Sequence, residues 1–285
     1  MPQLSHLSAI RIEGQDALAF SQSLVTSDLS ALGPDQWHPS AWCNAQGQVT
    51  VVMLVRGSEA GVDWVVPKSQ AAITANTLLR YTIGRQVCIG PPQEVSGDWL
   101  SAEVDGSQAS LSHAPDRVLM VAESAPTHLH DAAFEAAWRQ ADLNLGLAWL
   151  CPELSARFLP QSLGLERLAG MSYKKGCYPG QEVIAKVHYR GQVKQHLVLL
   201  ELTPEPSPLL PEQALYPGGD QHGTGASKPC GVVIQQEGDR ALAVVRATLE
   251  TGTLLYTDPS DEVDARTQVG EIKDLPNLKT PSPVS

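Results

Sequence analysis

The sequence predicts an α+β fold, made of split β-α-β modules followed by a small all-β unit. Three observations predict it. Strand-like and helix-like periods are mixed through residues 1–195 in an order that does not alternate strand with helix as a doubly wound parallel sheet would. Neither a G-x-G-x-x-G fingerprint nor a P-loop follows any strand, so nucleotide binding by those devices is not supported. After Gly191 the texture changes to short strands separated by proline- and glycine-rich connections, which suits a C-terminal β-barrel.

Residues 6–13 alternate as a strand, and Gly14 ends it. Asp16 stands where it can cap a helix to Leu24, with Ala17, Phe20 and Leu24 on one face. Three strands follow, at 40–44, 49–56 and 62–66, joined by turns at 45–47 and 57–61. Ser69 is expected to cap a helix to about Tyr81. A weak strand at 87–89 and further strands at 99–104 and 118–122 come next. Residues 129–142 are the clearest helix: Ala133, Phe134, Ala137, Trp138 and Ala141 form an apolar stripe, and Glu135, Arg139 and Gln140 are expected to face away. On periodicity alone Trp138 is a core residue. A short helix at 181–189 precedes a strand at 196–202, a connection holding Pro204, Pro206, Pro208, Pro211 and Pro217, and short strands at 231–235, 241–246 and 252–256. Residues 274–285, with three prolines, read as a disordered tail. The expected division is therefore 1–195, with an inner module at about 50–125, then 196–273 as barrel and 274–285 as tail.

Composition narrows the function classes. No apolar run approaches the ~18 residues of a membrane span, and the first residues have neither the build of a secretory signal nor that of a transit peptide, so a cytoplasmic location and no membrane partner are expected. A formal net charge of −11 opposes broad affinity for nucleic acid, and no direct nucleic-acid contact is expected. From Glu166 to His196, however, six basic residues (Arg167, Lys174, Lys175, Lys186, Arg190, Lys194) stand against two acids (Glu166, Glu182). That basic island suits a small anionic ligand or an acidic partner surface, and a solvated helix face would look similar. The five cysteines, Cys43, Cys88, Cys151, Cys177 and Cys230, are scattered and never form a C-x-x-C pair, so neither a disulfide framework nor a local zinc site is expected.

The stretch Tyr173-Lys174-Lys175-Gly176-Cys177-Tyr178-Pro179-Gly180-Gln181-Glu182 reads as a site. A thiol acts as nucleophile or ligand only as thiolate, which nearby positive charge or a helix N-terminus favours. With an effective dielectric of about 20, one ammonium at roughly 7 Å is worth on the order of 2 kcal/mol, and Lys174 and Lys175 could supply it. The plainer alternative is a glycine-punctuated turn around a small buried cysteine.

Lys175-Gly176-Cys177-Tyr178-x-Gly180-Gln181-Glu182 resembles the signature of the YgfZ family of folate-binding proteins, relatives of the glycine-cleavage T-protein. Phe158-Leu159-Pro160-Gln161, Tyr189-Arg190-Gly191, the Thr26-Ser27-Asp28 run and Cys43-Asn44-Ala45-Gln46-Gly47 fit the same family, and the likeness covers about residues 5–200. The resemblance implies a T-protein-like arrangement in which the N-terminal modules and the barrel enclose a central cavity for tetrahydrofolate. It implies an accessory protein supporting iron–sulfur cluster assembly or repair, with Fe–S enzymes or assembly proteins as partners and tRNA modification as a downstream effect. Cys177 carries over as the functional thiol, set by Lys175, Gly176, Tyr178, Gly180, Gln181 and Glu182, and Trp138 carries over as a pterin contact. Leu7 stands where a second family aromatic is expected.

Two rivals remain at this stage. One is a tetrahydrofolate-dependent aminomethyl or one-carbon transferase, in which a carboxylate assists proton movement; T-protein enzymes lack the K-G-C-Y signature. The other is a Cys–His hydrolase or acyltransferase using His188 or His196 as base.

Overall fold

In a computed structural model, residues 1–31, 36–58, 61–99, 109–121, 130–203, 208–217, 228–257 and 267–276 are described. Eight strands, Leu7–Glu13 (β1), Gln36–Cys43 (β2), Val49–Ser58 (β3), Gly61–Pro67 (β4), Cys88–Ile89 (β5), Val95–Trp99 (β6), Ala109–Leu111 (β7) and Ala114–Val121 (β8), form one sheet in the order β5-β1-β4-β3-β2-β7-β8-β6. Its neighbours pair antiparallel except β2 and β7, which run parallel at Gln36↔Ser110 and Trp37↔Leu111. The sheet curls. Main-chain bonds from Leu4 N to Val95 O and from Ala9 N to Gln93 O, both 2.9 Å, bring the β6 edge back to the first residues.

Strand β3 shows why its sequence is apolar on both faces. Val51, Met53 and Val55 point into a core shared with Ala17–Gln22 (α1) and Lys68–Leu78 (α2), while Val52 and Leu54 point into a second core. The second core takes Trp138 from Ala132–Leu145 (α3), Ile184 from Gln181–Arg190 (α4), and the outer face of a barrel. Side chains alternate across a strand, and here both sides are covered.

The barrel is closed, in the order β10-β11-β12-β9-β14-β13, from Gln195–Leu202 (β9), Ala214–Pro217 (β10), Gly231–Glu237 (β11), Arg240–Arg246 (β12), Leu254–Thr257 (β13) and Thr267–Lys273 (β14). Val198, Leu200 and Leu202 fill its interior, and Leu197 and Leu199 turn outward into the core of the sheet. Strands β3 and β4 lie at the sheet's centre beside β1 and β2.

Several expectations shift. Asp16 precedes α1 but makes no side-chain cap; its carboxylate accepts from Gln86 N at 2.8 Å. Ser69 lies inside α2, whose N-cap position is Pro67, and α2 gives way to a 3-10 turn at Leu79–Tyr81. Strand β2 starts earlier than expected, running through Pro39, which lies beyond the two residues paired with β7 and so loses no ladder bond there. Strand β6 ends where a strand from Trp99 was expected to begin, and residues 100–104 lie outside the described residues. Gly97, inside β6, is a packing glycine: a Cβ there would come within 2.8 Å of the Trp138 ring. Strands β7, β10 and β14 were not expected. Of the expected tail, residues 277–285 lie outside the described residues.

Helix α3 has the expected period on a different face. Asp131 caps it, accepting from Phe134 N at 3.0 Å, and Gly146 ends it in the left-handed region. Ala133 and Ala137 are exposed, whereas Glu135 and Asp142 are buried with Trp138. Each carboxylate has dedicated partners. Glu135 accepts from Ser5 Oγ, His6 N and Arg139, and its Oε1 lies 2.7 Å from His6 Nδ1. Burial alone would raise its pKa, but the bonds from His6 and Ser5 and the charges of His6 and Arg139 outweigh it and hold the carboxyl at about 2. Asp142 accepts from Arg117 at 2.7 Å and from Trp149 Nε1 at 2.8 Å. The Arg117 guanidinium, itself 2% exposed, lies 3.9 Å from the Trp138 ring centroid.

Removing one partner of a buried ion pair strands the other. Arg117→Met is expected to lower unfolding free energy by about 3–5 kcal/mol, measured by urea unfolding. Arg117→Met with Asp142→Asn should recover most of that loss, because Asn keeps an acceptor for Trp149 without a buried charge.

Candidate functional site

The chain reaches the site through a tight loop whose residues alternate in fate. Ser172 N donates to Thr26 O at 2.8 Å, and Ser172 Oγ accepts from Lys174 N and Lys175 N at 3.3 and 3.2 Å. Lys175 and Tyr178 then turn inward, while Gly176 and Cys177 are exposed. Lys175 Nζ donates to Val25 O at 2.6 Å and Ser27 O at 2.7 Å and lies 5.3 Å from the Tyr178 ring centroid. Lys175 thus keeps its charge but turns its ammonium inward onto two main-chain carbonyls, while Cys177 is exposed. Lys174 is exposed.

Gly180 precedes α4 with φ of 77°, in the left-handed region that glycine tolerates. Its backbone meets the β2–β3 turn so closely that a Cβ would lie 2.4 Å from Gly47 Cα and 2.5 Å from Asn44 O. Gln181 Nε2 donates back to Lys175 O at 3.3 Å, and Glu182 is exposed in the first turn of α4, where a negative charge suits the helix N-terminus. Gln161 ties the upstream segment in, donating to Ile184 O at 2.9 Å. The segments 26–28, 43–47, 158–161 and 172–182 thus form one assembly.

Its interior holds two groups that burial keeps protonated. Burial pushes the Cys43 thiol up, and burial with the neighbouring Cys43 pushes the Tyr178 phenol up. Cys177 is an exposed thiol, as is Cys88; Cys43 and Cys230 are buried. No hydrogen bond joins Cys177 to His188 or His196 among the described residues. His188 instead stacks on Tyr173, with ring centroids 3.9 Å apart, and its Nδ1 lies 3.0 Å from Glu166, which also accepts from the Tyr173 hydroxyl. The Cys–His pair is not assembled. Trp138 lies elsewhere, 1% exposed beneath Arg117 and Phe134.

Two concavities flank the Asn44–Gly47 turn. One, of about 380 Å³, is polar and lined by Gln46, Gln48, Arg157, Ser162, Lys194 and Gln195, with Leu159, Val187 and Gln192 completing it. It sits between the sheet, α4 and the first barrel strand. Arg157 also pairs with Glu212 at 2.5 Å; Lys194 has no ion pair among the described residues. The other, of about 330 Å³, is a mostly apolar cleft under α2. Neither was visible in the sequence, since the lining residues are far apart along the chain. Among the described residues no cluster of His, Cys, Asp or Glu could hold a metal ion.

With the curled sheet, the closed barrel and the loop between them in place, the fold can be compared with known proteins. No family model matches the chain. The crystal structure of glycine cleavage system aminomethyltransferase T from Bartonella henselae superposes with a TM-score of 0.65 over 96% of this chain and 84% of that one, at 14% sequence identity. The fold is T-protein-like. At that identity the likeness speaks for architecture alone, and it agrees with the expected α+β modules and C-terminal barrel.

The contacts at Gly180 and Lys175 separate two effects. Gly180→Ala should destabilise the chain and, by splaying the loop, make the buried Cys43 thiol labelable beside the already exposed Cys88 and Cys177, as read by thermal melting and by site-resolved labelling kinetics. For Lys175, burial lowers the pKa from 10.5 to about 8, opposed by Asp28. Between those values the unfolded chain binds more protons, so this group's contribution to stability rises with pH across that window. Lys175→Met removes it: the stability difference between the native chain and the variant should grow in favour of the native chain from pH 7.5 to pH 10, in paired denaturant titrations.

Proposed function

We propose that this chain is a cytoplasmic, tetrahydrofolate-binding accessory protein that presents Cys177 to iron–sulfur cluster assembly or repair, and thereby supports Fe–S-dependent tRNA modification, as in the YgfZ family. The observation that carries the reading is the convergence of the signature loop with the 26–28 and 43–47 segments, through the Lys175 bonds and the Gly180 contact, with the thiol outermost. The T-protein-like fold supports a folate site. No helix among the described residues is long and apolar enough to cross a membrane.

The fit to tetrahydrofolate differs between its two ends. The Trp138 ring does not fit a pterin, because Arg117 and Phe134 occupy its faces. The polar concavity does fit the carboxylate tail: Lys194 and Arg157 offer charge there, and Gln46, Gln48 and Ser162 offer hydrogen bonds. Bound tetrahydrofolate would supply a carrier of one-carbon units. A second reading, an aminomethyl or one-carbon transferase, is favoured by the fold likeness to an aminomethyltransferase.

Cys177→Ser, beside a Cys88→Ser control, decides the thiol's role. Loss of Fe–S enzyme activity in cells complemented with the first variant and not the second is expected, with tetrahydrofolate affinity unchanged. Full rescue by Cys177→Ser would end that role. Turnover with methylene donors that ignores Cys177 would favour the transferase. Lys194→Ala should weaken tetrahydrofolate binding by about tenfold in calorimetric titration, the value of one charge-assisted hydrogen bond.

A further inference from the structure

The apolar cleft beside the signature assembly is built for a ligand of its own. It is lined by Trp42 and Tyr81, whose rings meet edge to face at 5.5 Å, and by Val51, Ile73 and Pro152, with Gln70 and Thr74 from α2. Its volume of about 330 Å³ is at the small end of ligand sites.

The polar groups of its walls are mostly committed internally. Thr50 Oγ1 donates to Trp42 O at 2.8 Å, Thr77 Oγ1 to Ile73 O at 2.6 Å, and Ser155 Oγ to Thr50 O at 2.9 Å. Asn44 is saturated by Gln46 N, Gln48 N and the Gln48 side chain. Gln70 is the exception. It is 2% exposed, its Oε1 is buried, and its carboxamide has no hydrogen-bond partner among the described residues. Thr74, one helical turn on and 5% exposed, also makes no side-chain bond there. An orphaned buried carbonyl costs about 1–3 kcal/mol, so a helix that buries Gln70 at an apolar cleft carries a cost that a ligand would offset.

A carboxamide offers an acceptor and a donor side by side, which match a lactam edge, N–H beside C=O. The aromatic walls match a planar ring. Among the described residues no Lys, Arg, Asp or Glu lines the cleft, so a charged group would enter it without a counter-charge from them. Ile73, 66% exposed, and Tyr81, 48% exposed, stand as apolar groups at the rim. From this geometry we infer that the cleft under α2 binds a neutral, planar heteroaromatic molecule of nucleobase size, through a lactam edge paired with Gln70 and apolar packing against the Trp42 and Tyr81 rings. The site is separate from the polar concavity assigned above to the folate tail, and it does not depend on that assignment.

The test is a titration of the full chain with hypoxanthine, which has the lactam edge, and with indole, which has the ring without it, followed by ¹H–¹⁵N NMR at the Gln70 amide and the Trp42 indole. Hypoxanthine should shift both signals, and Gln70→Leu should weaken it by about tenfold with an unchanged melting temperature. Thr77→Phe, which adds a ring at the cleft wall, should abolish binding if Gln70→Leu proves unstable. Silence at Gln70 and Trp42 up to the solubility limit overturns the inference. So does indole binding equal to that of hypoxanthine, which would reduce the cleft to an apolar crevice. Displacement of hypoxanthine by tetrahydrofolate would assign the cleft to the pterin and overturn the claim of a separate site. Unaltered hypoxanthine binding beside a failed tetrahydrofolate titration would leave this inference standing and the folate reading not.

Discussion

The site depends on a contact between two backbones. Gly180 lies against Gly47 and Asn44 with no space for even one additional carbon, and the φ of Gly180 is one that other residues rarely adopt. That contact fixes where α4 starts relative to the β2–β3 turn. Because Lys175, five residues earlier, is tied to Val25 O and Ser27 O, the intervening chain is held at both ends and has little choice but to loop outward. Gly176 and Cys177 are the outward residues. Exposure of the thiol is thus a consequence of two buried attachments on either side of it.

The same logic explains which parts of the site were legible in the sequence. The pattern K-G-C-Y-x-G-Q-E, with the 26–28 and 43–47 segments, marked the participants, and the structure brings them together. Their roles were not legible. A lysine beside a cysteine suggests electrostatic activation, but direction decides: Lys175 points toward main-chain carbonyls inside, and Lys174 points out. Sequence spacing cannot tell those apart in a loop, where no helical or strand period fixes which way a side chain faces. The two concavities were invisible for a related reason, since each draws its walls from segments more than a hundred residues apart.

In the fold, strand-forming runs bounded by turn residues were read well, and β1, β3, β4, β9, β11 and β12 fall close to where they were expected. Misreadings came where a tertiary contact overrides local preference. Gly97 lies within β6, ahead of where a strand was expected to begin, and is a small residue demanded by Trp138. Gly270, within β14, is similarly pressed against Glu201 O, where a Cβ would come within 2.3 Å. Helix α3 is the clearest instance: its apolar stripe suggested one buried face, but the face that packs carries Glu135 and Asp142. Carboxylates are placed outside by default because burying them alone is costly. Here the compensating partners, Ser5, His6, Arg117 and Trp149, come from other elements and are unreadable from α3 itself.

That buried charge also bears on how this chain differs in its interior from a stacking site. A tryptophan open to a ligand needs one free face, and Trp138 has Arg117 on it at 3.9 Å, Phe134 at 5.9 Å and Trp99 at 5.6 Å. Freeing that ring would require moving a guanidinium bound to Asp142 in a nearly dry setting, and the pair cannot be separated cheaply. The two concavities lie instead on either side of the Asn44–Gly47 turn. Both concavities and the exposed thiol therefore meet at one structural element: a change in that turn would be felt at Gly180, and through Gly180 at the loop that carries Cys177.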